Sequence, residues 1–477
     1  MFVRNSLKFV ATALLAGAVV ASIAAPRVLL AQAATADPFA IPESTDNEAV
    51  QVFVQRLIRS FQTRGEDARS PEGTAEYLNR MDAALDQVQQ KEVEAPTMVL
   101  LSNVRGQILG MLVANGDETA QQRSDAMVAR LKQSADPEVK AFGEQLELSA
   151  KIAALPEMEP AAQQAFIEAL AAGLGEGPLN QQAMMLAQQA ADRLVSSGNT
   201  AQAVKAYELF AAKLESRNEQ QVAPLVAQLR GLAKIAGFAD MQPEQRTAVI
   251  KELAQGFATG PLGRGSVELA EQAADALEGL GHTDEAAAAY NEFANVIEAR
   301  GEEQLAPLVE NFRGTGRRVG LMGHPIEIKG TTVDGKPFDI KDWKGKVVLV
   351  DFWATWCGPC IQELPNVRQN YDLYHAKGFE VVGISLDDNP QALTKFIKDA
   401  EIPWITLFPE DEAVRGWENP IARHYGISGI PTVILVNQEG NVVSLNARGA
   451  MLGALLADLL GPADAGAGDA PPADPAN

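Results

Sequence analysis

The sequence is poor in the residues that build metal centres and disulfide frameworks. It has two cysteines, both in one Cys-x-x-Cys, and four scattered histidines, His282, His324, His375 and His424. A structural zinc site needs four ligands, commonly two such pairs or one pair with two histidines, so no metal is expected. Without further cysteines there is no network of structural disulfides, and stability has to come from packed apolar cores. Basic residues are also short: 40 Lys and Arg face 62 Asp and Glu, a formal charge of −22. Such a charge repels phosphate backbones, which excludes nucleic acid as a partner. Aromatic residues are only 6% of the chain, while alanine is abundant, a bias toward helix.

A chain of 477 residues is too long for one compact core, so several domains are expected. Arg4 and Lys8 precede an apolar run over residues 9–25, and Ala31-Gln32-Ala33 follows. A positive start, an apolar middle and a small-x-small end make residues 1–33 a signal peptide or membrane anchor, and the chain an exported one. The run is at the lower limit for spanning a bilayer, so cleavage and retention as a membrane tether both fit. No cysteine follows the run, which excludes a lipidated-cysteine anchor. At the other end, residues 461–477 contain only Gly, Pro, Ala, Asp and Asn, too little apolar surface to fold, and are expected to be a disordered tail.

Residues 152–234 and 235–317 align without a gap, with 36 of 83 positions identical. This is an internal duplication. A weaker partial copy upstream, around Ala129-Arg130-Leu131 and Gln145-Leu146, requires a gap. Each unit reads as four helices beginning near Pro160, Gln182, Thr200 and Glu219 in the first copy, with Gly and Pro at the breaks. The middle pair resembles a tetratricopeptide-type hairpin, although the period of 83 is not the usual one, so an α-solenoid-like stack is expected. A binding surface and a spacer or self-association domain are equally consistent with it. Upstream, Thr45-x-x-Glu48 predicts a capping box and Ser70-Pro71 another helix start. Residues 44–317 thus form an all-α helical repeat domain, and Gly314-Thr315-Gly316-Arg317-Arg318 is the expected junction.

From Gly323 onward the pattern alternates, with Ile326, Ile328 and a Val333-Asp334-Gly335-Lys336 turn, and then becomes uniformly apolar over residues 347–350, as a buried strand does. That strand runs into Asp351-Phe352-Trp353-Ala354-Thr355-Trp356-Cys357-Gly358-Pro359-Cys360 and a following helical stretch. A cysteine at a helix N-terminus meets unpaired backbone N–H groups and the positive end of the macrodipole, both of which favour thiolate. Cys360, about one turn on, lies on the same face. Cys357 is therefore read as the attacking nucleophile and Cys360 as the resolving thiol. Asp351 ends an apolar strand, where burial raises a carboxyl pKa and suits it to exchange a proton with Cys360.

This segment resembles the thioredoxin active site, and the wider run from Gly345-Lys346 to Glu363-Leu364-Pro365 is similar to the TlpA and ResA branch, which acts outside the cytoplasm. The resemblance covers about residues 320–460 and implies an α/β thioredoxin fold with an extra helix and strand between residues 378 and 431. It implies that Asp351 matches a buried aspartate, that Glu363 matches a glutamate near the cysteines, and that Pro431 of Gly429-Ile430-Pro431-Thr432 is a cis-proline facing the site. Trp356, Gly358, Pro359, Ile430 and Pro431 then contact substrate, the Ile430 backbone pairing with its peptide. The lysine that accompanies the buried aspartate in thioredoxins is absent, Ile384 standing at its position. The Gly-Pro pair implies a reducing potential. The cofactor expectation is none beyond a redox-active Cys357–Cys360 disulfide. The partners expected are protein disulfides and an upstream thiol donor. Reduction of extracytoplasmic protein disulfides is the leading reading; disulfide oxidation or isomerisation, and a scaffold with incidental redox activity, are the alternatives.

Overall fold

The computed structural model describes residues 37–63, 70–175, 181–258 and 262–463. The expected targeting segment and all but the start of the expected tail lie outside the described residues. The chain divides into two compact units, one ending at Gln163 and the other beginning at Gln164.

In the first unit α1 (Asn47–Gln62) buries Val50, Phe53, Val54, Leu57, Ile58 and Phe61, the spacing of one helical face. It is followed by α2 (Pro71–Gln89), α3 (Ala95–Ala114), α4 (Glu118–Lys132) and α5 (Pro137–Ala154). The expected Thr45–Glu48 capping box does not form. Asp46 caps α1 instead, accepting from the Ala49 amide at 2.8 Å, while the Thr45 hydroxyl donates to the Glu92 carbonyl. A carboxylate is the stronger acceptor for an orphan amide. Ser70 starts α2 as expected, its Oγ accepting from the Gly73 amide at 3.0 Å. The buried Arg105 guanidinium bonds to Asp82 and Gln89 at 2.8 and 2.6 Å, which satisfies a charge that would otherwise be costly inside a helical core.

The second unit carries the duplication as structure. It holds all but the first four residues of α6 (Pro160–Gly175), then α7 (Gln181–Ser196), α8 (Thr200–Glu215) and α9 (Ala223–Ala236), and α10 (Pro243–Gln255), α11 (Arg264–Gly279), α12 (Thr283–Glu298) and α13 (Ala306–Val319). Side-chain bonds recur at the repeat spacing. Arg217 donates to the Leu174 carbonyl at 3.1 Å and Arg300 to the Phe257 carbonyl at 2.8 Å. Arg230 pairs with Glu215 and Arg313 with Glu298. Tyr207 donates to Asp192 as Tyr290 does to Asp275.

The expected junction at residues 314–318 is helical, forming part of α13, and is packed. Gly231 on α9 faces Leu269 of α11, whereas its repeat equivalent Gly314 faces the Gly426 backbone, where a Cβ would lie 2.4 Å from the amide nitrogen. Arg317 and Arg318 donate to the carbonyls of His424 and Tyr425 at 2.8 and 3.3 Å. The C-terminal domain thus occupies on α13 the place that the next repeat occupies on α9. The glycine-rich run reads as a break in sequence, but here its lack of side chains permits close backbone approach.

Beyond α13 a hairpin of β1 (Lys329–Thr331) and β2 (Pro337–Asp339) precedes a five-stranded sheet of β3 (Val347–Trp353), β4 (Phe379–Ser385), β5 (Ile405–Leu407), β6 (Thr432–Val436) and β7 (Val442–Ser444). The order is β5-β4-β3-β6-β7, with β3 parallel to β4 and antiparallel to β6. Every residue of β3 is buried, as its unbroken apolar run predicts for a central strand. The helices are α14 (Gly358–Tyr374), α15 (Pro390–Asp399), α16 (Pro420–His424) and α17 (Ala450–Leu460). The helix and strand expected between residues 378 and 431 are α15 and β5.

Candidate active site

The site forms where β3 gives way to α14. The Leu386 amide donates to the Trp353 carbonyl at 2.8 Å, which extends the β3–β4 pairing by one residue. Asp387, buried beyond it, accepts from the Thr355 amide at 3.1 Å, from the Thr355 hydroxyl and from Ser385 Oγ at 2.8 Å. This carboxylate therefore fixes the loop immediately before the cysteines. Motif reading missed it because Asp387 follows a different strand, with only Ser385-x-Asp387 as a local signal.

Cys357 is the N-cap of α14, and Cys357 Sγ accepts from the Cys360 amide at 3.2 Å. An orphan donor of the first helical turn is thus aimed at the sulfur, an environment that stabilises thiolate once the bond is reduced. Pro359 sits in the first turn, where its missing N–H costs nothing. Cys357 and Cys360 are joined in a disulfide and are only 5% and 3% exposed. Trp356, Gly358 and Pro359 around them are exposed.

Asp351 lies on β3 opposite Gly383 of β4 and Val433 of β6, buried as expected. Burial, reinforced by the neighbouring Glu363 carboxylate and opposed by Arg448, pushes its carboxyl up to about 7. The position beside it on β4 offers no lysine: Ile384 pairs with Phe352. The cation near Asp351 comes instead from Arg448, in the loop before α17. The Arg448 Nε is buried and has no hydrogen-bond partner among the described residues. Glu363 Oε1 accepts from the Gly449 amide and from Asn366 Nδ2, each at 2.7 Å, and Asn366 donates to the Gly449 carbonyl at 3.2 Å. Glu363 therefore docks the loop that carries Arg448, a more specific placement than the one expected near the cysteines. Sequence reading missed Arg448 because 97 positions separate it from Asp351.

The Ile430–Pro431 bond is cis, and Thr432 opens β6 opposite Phe352. Pro431 thus lies at the end of β3 from which the Cys357 loop departs. Across the same end Trp417, 45% exposed, meets Trp356, 54% exposed, with ring centroids 6.2 Å apart.

Residues 312–451 match the Redoxin family model. The chain is 33% identical over 113 residues to the thiol-disulfide oxidoreductase ResA of Bacillus thuringiensis subsp. konkukian, covering 24% of this chain and 61% of that one. It is 30% identical over 139 residues to ResA of Oceanobacillus iheyensis, covering 28% and 69%. The chain belongs to the TlpA/ResA-like thioredoxin family. The match to the first of these relatives spans less than two-thirds of its length. Among solved structures, the thioredoxin domain of a thiol-disulfide oxidoreductase from Bacteroides vulgatus is 30% identical, covering 29% of this chain and 97% of that one, with a TM-score of 0.27. The C-terminal domain is the part of the chain that carries the thioredoxin-like family match. Among the described residues, no group of three or more His, Cys, Asp or Glu is placed to hold a metal ion.

Proposed function

We propose that the protein reduces disulfides of protein substrates on the extracytoplasmic side of a membrane. The observation that carries this reading is the Cys357 sulfur at the N-cap of α14, receiving the amide of the cysteine to which it is bonded. In the reduced enzyme the Cys357 thiolate attacks one sulfur of a substrate disulfide, forming a mixed disulfide and releasing the other sulfur as a thiolate. The Cys360 thiol gives its proton to the Asp351 carboxylate and attacks Cys357 Sγ. The second substrate sulfur then leaves, and the Cys357–Cys360 disulfide forms. Two electrons pass to substrate, and an external dithiol donor restores the enzyme. Trp356, Gly358, Pro359, Ile430 and Pro431 form the substrate-contacting rim, with the Ile430 backbone available to pair with an extended peptide.

The reducing direction rests on the Gly358-Pro359 pair between the cysteines, and the location on the charged-then-apolar N-terminal segment. The test is dithiothreitol-driven reduction of insulin by the full chain, followed as turbidity. Catalysis above the uncatalysed rate supports the reading, and a rate equal to the dithiol alone contradicts it.

A further inference from the structure

Cys357 is almost wholly covered by its neighbours, so a substrate sulfur reaches it only by pressing the flanking substrate residues against the rim. Two indole rings stand exposed on that rim. Trp356 is the residue before Cys357, whereas Trp417 comes from the segment between β5 and α16, 60 positions away. Large exposed aromatics side by side are unusual on a soluble surface and mark a contact site.

The two rings are held by one structural knot. The loop after β4 supplies Asp387, which binds Thr355 and fixes the Trp356 side. The next residue, Asp388, abuts Gly416: a Cβ there would lie 2.5 Å from its carboxylate oxygen, and Gly416 has φ +58°. On the other side of Trp417, buried Asn419 donates to the Ser385 carbonyl at 3.4 Å and caps α16, accepting from the Ile421 amide at 2.9 Å. Residues 385–388 thus hold both tryptophan-bearing segments. The rings are pre-positioned on fixed backbone, which lowers the ordering cost of a contact made to them.

We propose that Trp417 and Trp356 form an aromatic clamp that receives one apolar side chain of a polypeptide substrate, adjacent to the disulfide presented to Cys357, and that Trp417 is the specificity-determining residue of the pair. This rests on the oxidoreductase reading above. The occupant is a polypeptide rather than a small disulfide because the clamp lies beside the sulfur, where only a residue covalently flanking the substrate cysteine reaches it. Trp417 touches substrate away from the reacting atoms, so it sets preference among substrates and takes no part in proton or electron transfer.

The experiment uses the full chain with a reducing dithiol. Two disulfide-linked peptides, differing only in Phe or Ala beside the cysteine, are compared, with 2-hydroxyethyl disulfide as a third substrate. The wild type is expected to prefer the Phe peptide in kcat/KM by about tenfold, the upper end of one aromatic contact, with the difference in KM. Trp417→Ala should bring the ratio of the two peptides near one, and Trp417→Phe should keep most of it. Retention of the full preference by Trp417→Ala overturns the clamp, as does a wild type that reduces both peptides equally. A wild type that reduces none of the three substrates contradicts the underlying oxidoreductase reading instead.

Discussion

Gly314 of the last repeat helix and Gly426 of the redox domain meet backbone to backbone, so closely that a Cβ on Gly314 would lie 2.4 Å from the Gly426 amide nitrogen. The repeat-equivalent glycine, Gly231, would place its Cβ 2.6 Å from Leu269 Cδ2, a flexible side-chain end. Both glycines are inside helices, where alanine is intrinsically favoured by about 1 kcal/mol. Gly231→Ala is therefore expected to be near neutral, as Leu269 changes rotamer. Gly314→Ala should destabilise by about 1–3 kcal/mol, because backbone must move. Thermal unfolding of the two variants separates them; equal melting shifts would contradict this docking of the domains.

Proteolysis checks the same junction. Residues 314–318 are helical and packed, so cleavage there should be slow compared with cleavage in exposed loops such as that at Gly301. Rapid cutting within 314–318 would show that the two parts are joined by an open linker.

The roles of the two sulfurs predict different failures. Cys357→Ser should abolish catalysed reduction. Cys360→Ser should accumulate a mixed disulfide at Cys357 that is visible by mass spectrometry and released by excess thiol. Full turnover by Cys357→Ser would refute the assignment.

For Asp351, the folded carboxyl titrates near 7, against an ordinary value near 3.9. The native state therefore holds this proton more tightly than the unfolded chain, and its contribution to stability is lost as pH rises from about 4 through about 7. Asp351→Asn should raise the melting temperature of the oxidised protein more at pH 8 than at pH 5. The same variant should slow closure of the Cys357–Cys360 disulfide by about a hundredfold at neutral pH and remove the inflection near 7 from its pH profile. Arg448→Met, which deletes the opposing positive charge, should move that inflection to higher pH. An unmoved inflection in Arg448→Met would mean that Arg448 does not act on Asp351.

What the sequence discloses follows how local each signal is. Cys357, Cys360 and Asp351 lie within ten residues on one strand–helix turn, so their placement together is legible from the local pattern. Pro431 is legible through family resemblance. Arg448, Asp387 and Trp417 reach the site from separate loops, and nothing in their neighbourhoods signals which strand end the sheet order brings them to. Residues 314–318 mislead for a different reason: glycines that usually break a helix here serve close packing against Gly426. At Thr45, a local pattern for capping loses to the adjacent, stronger acceptor Asp46.

The reduction potential of the Cys357/Cys360 couple in the full chain decides whether the protein reduces or forms disulfides. It is measured by equilibration with glutathione or dithiothreitol buffers, with the thiols then quantified. A reductase with the Gly358-Pro359 pair should lie near thioredoxin, at about −270 mV, whereas a value near the strong oxidants, at about −120 mV, would contradict reduction and assign the protein to disulfide formation.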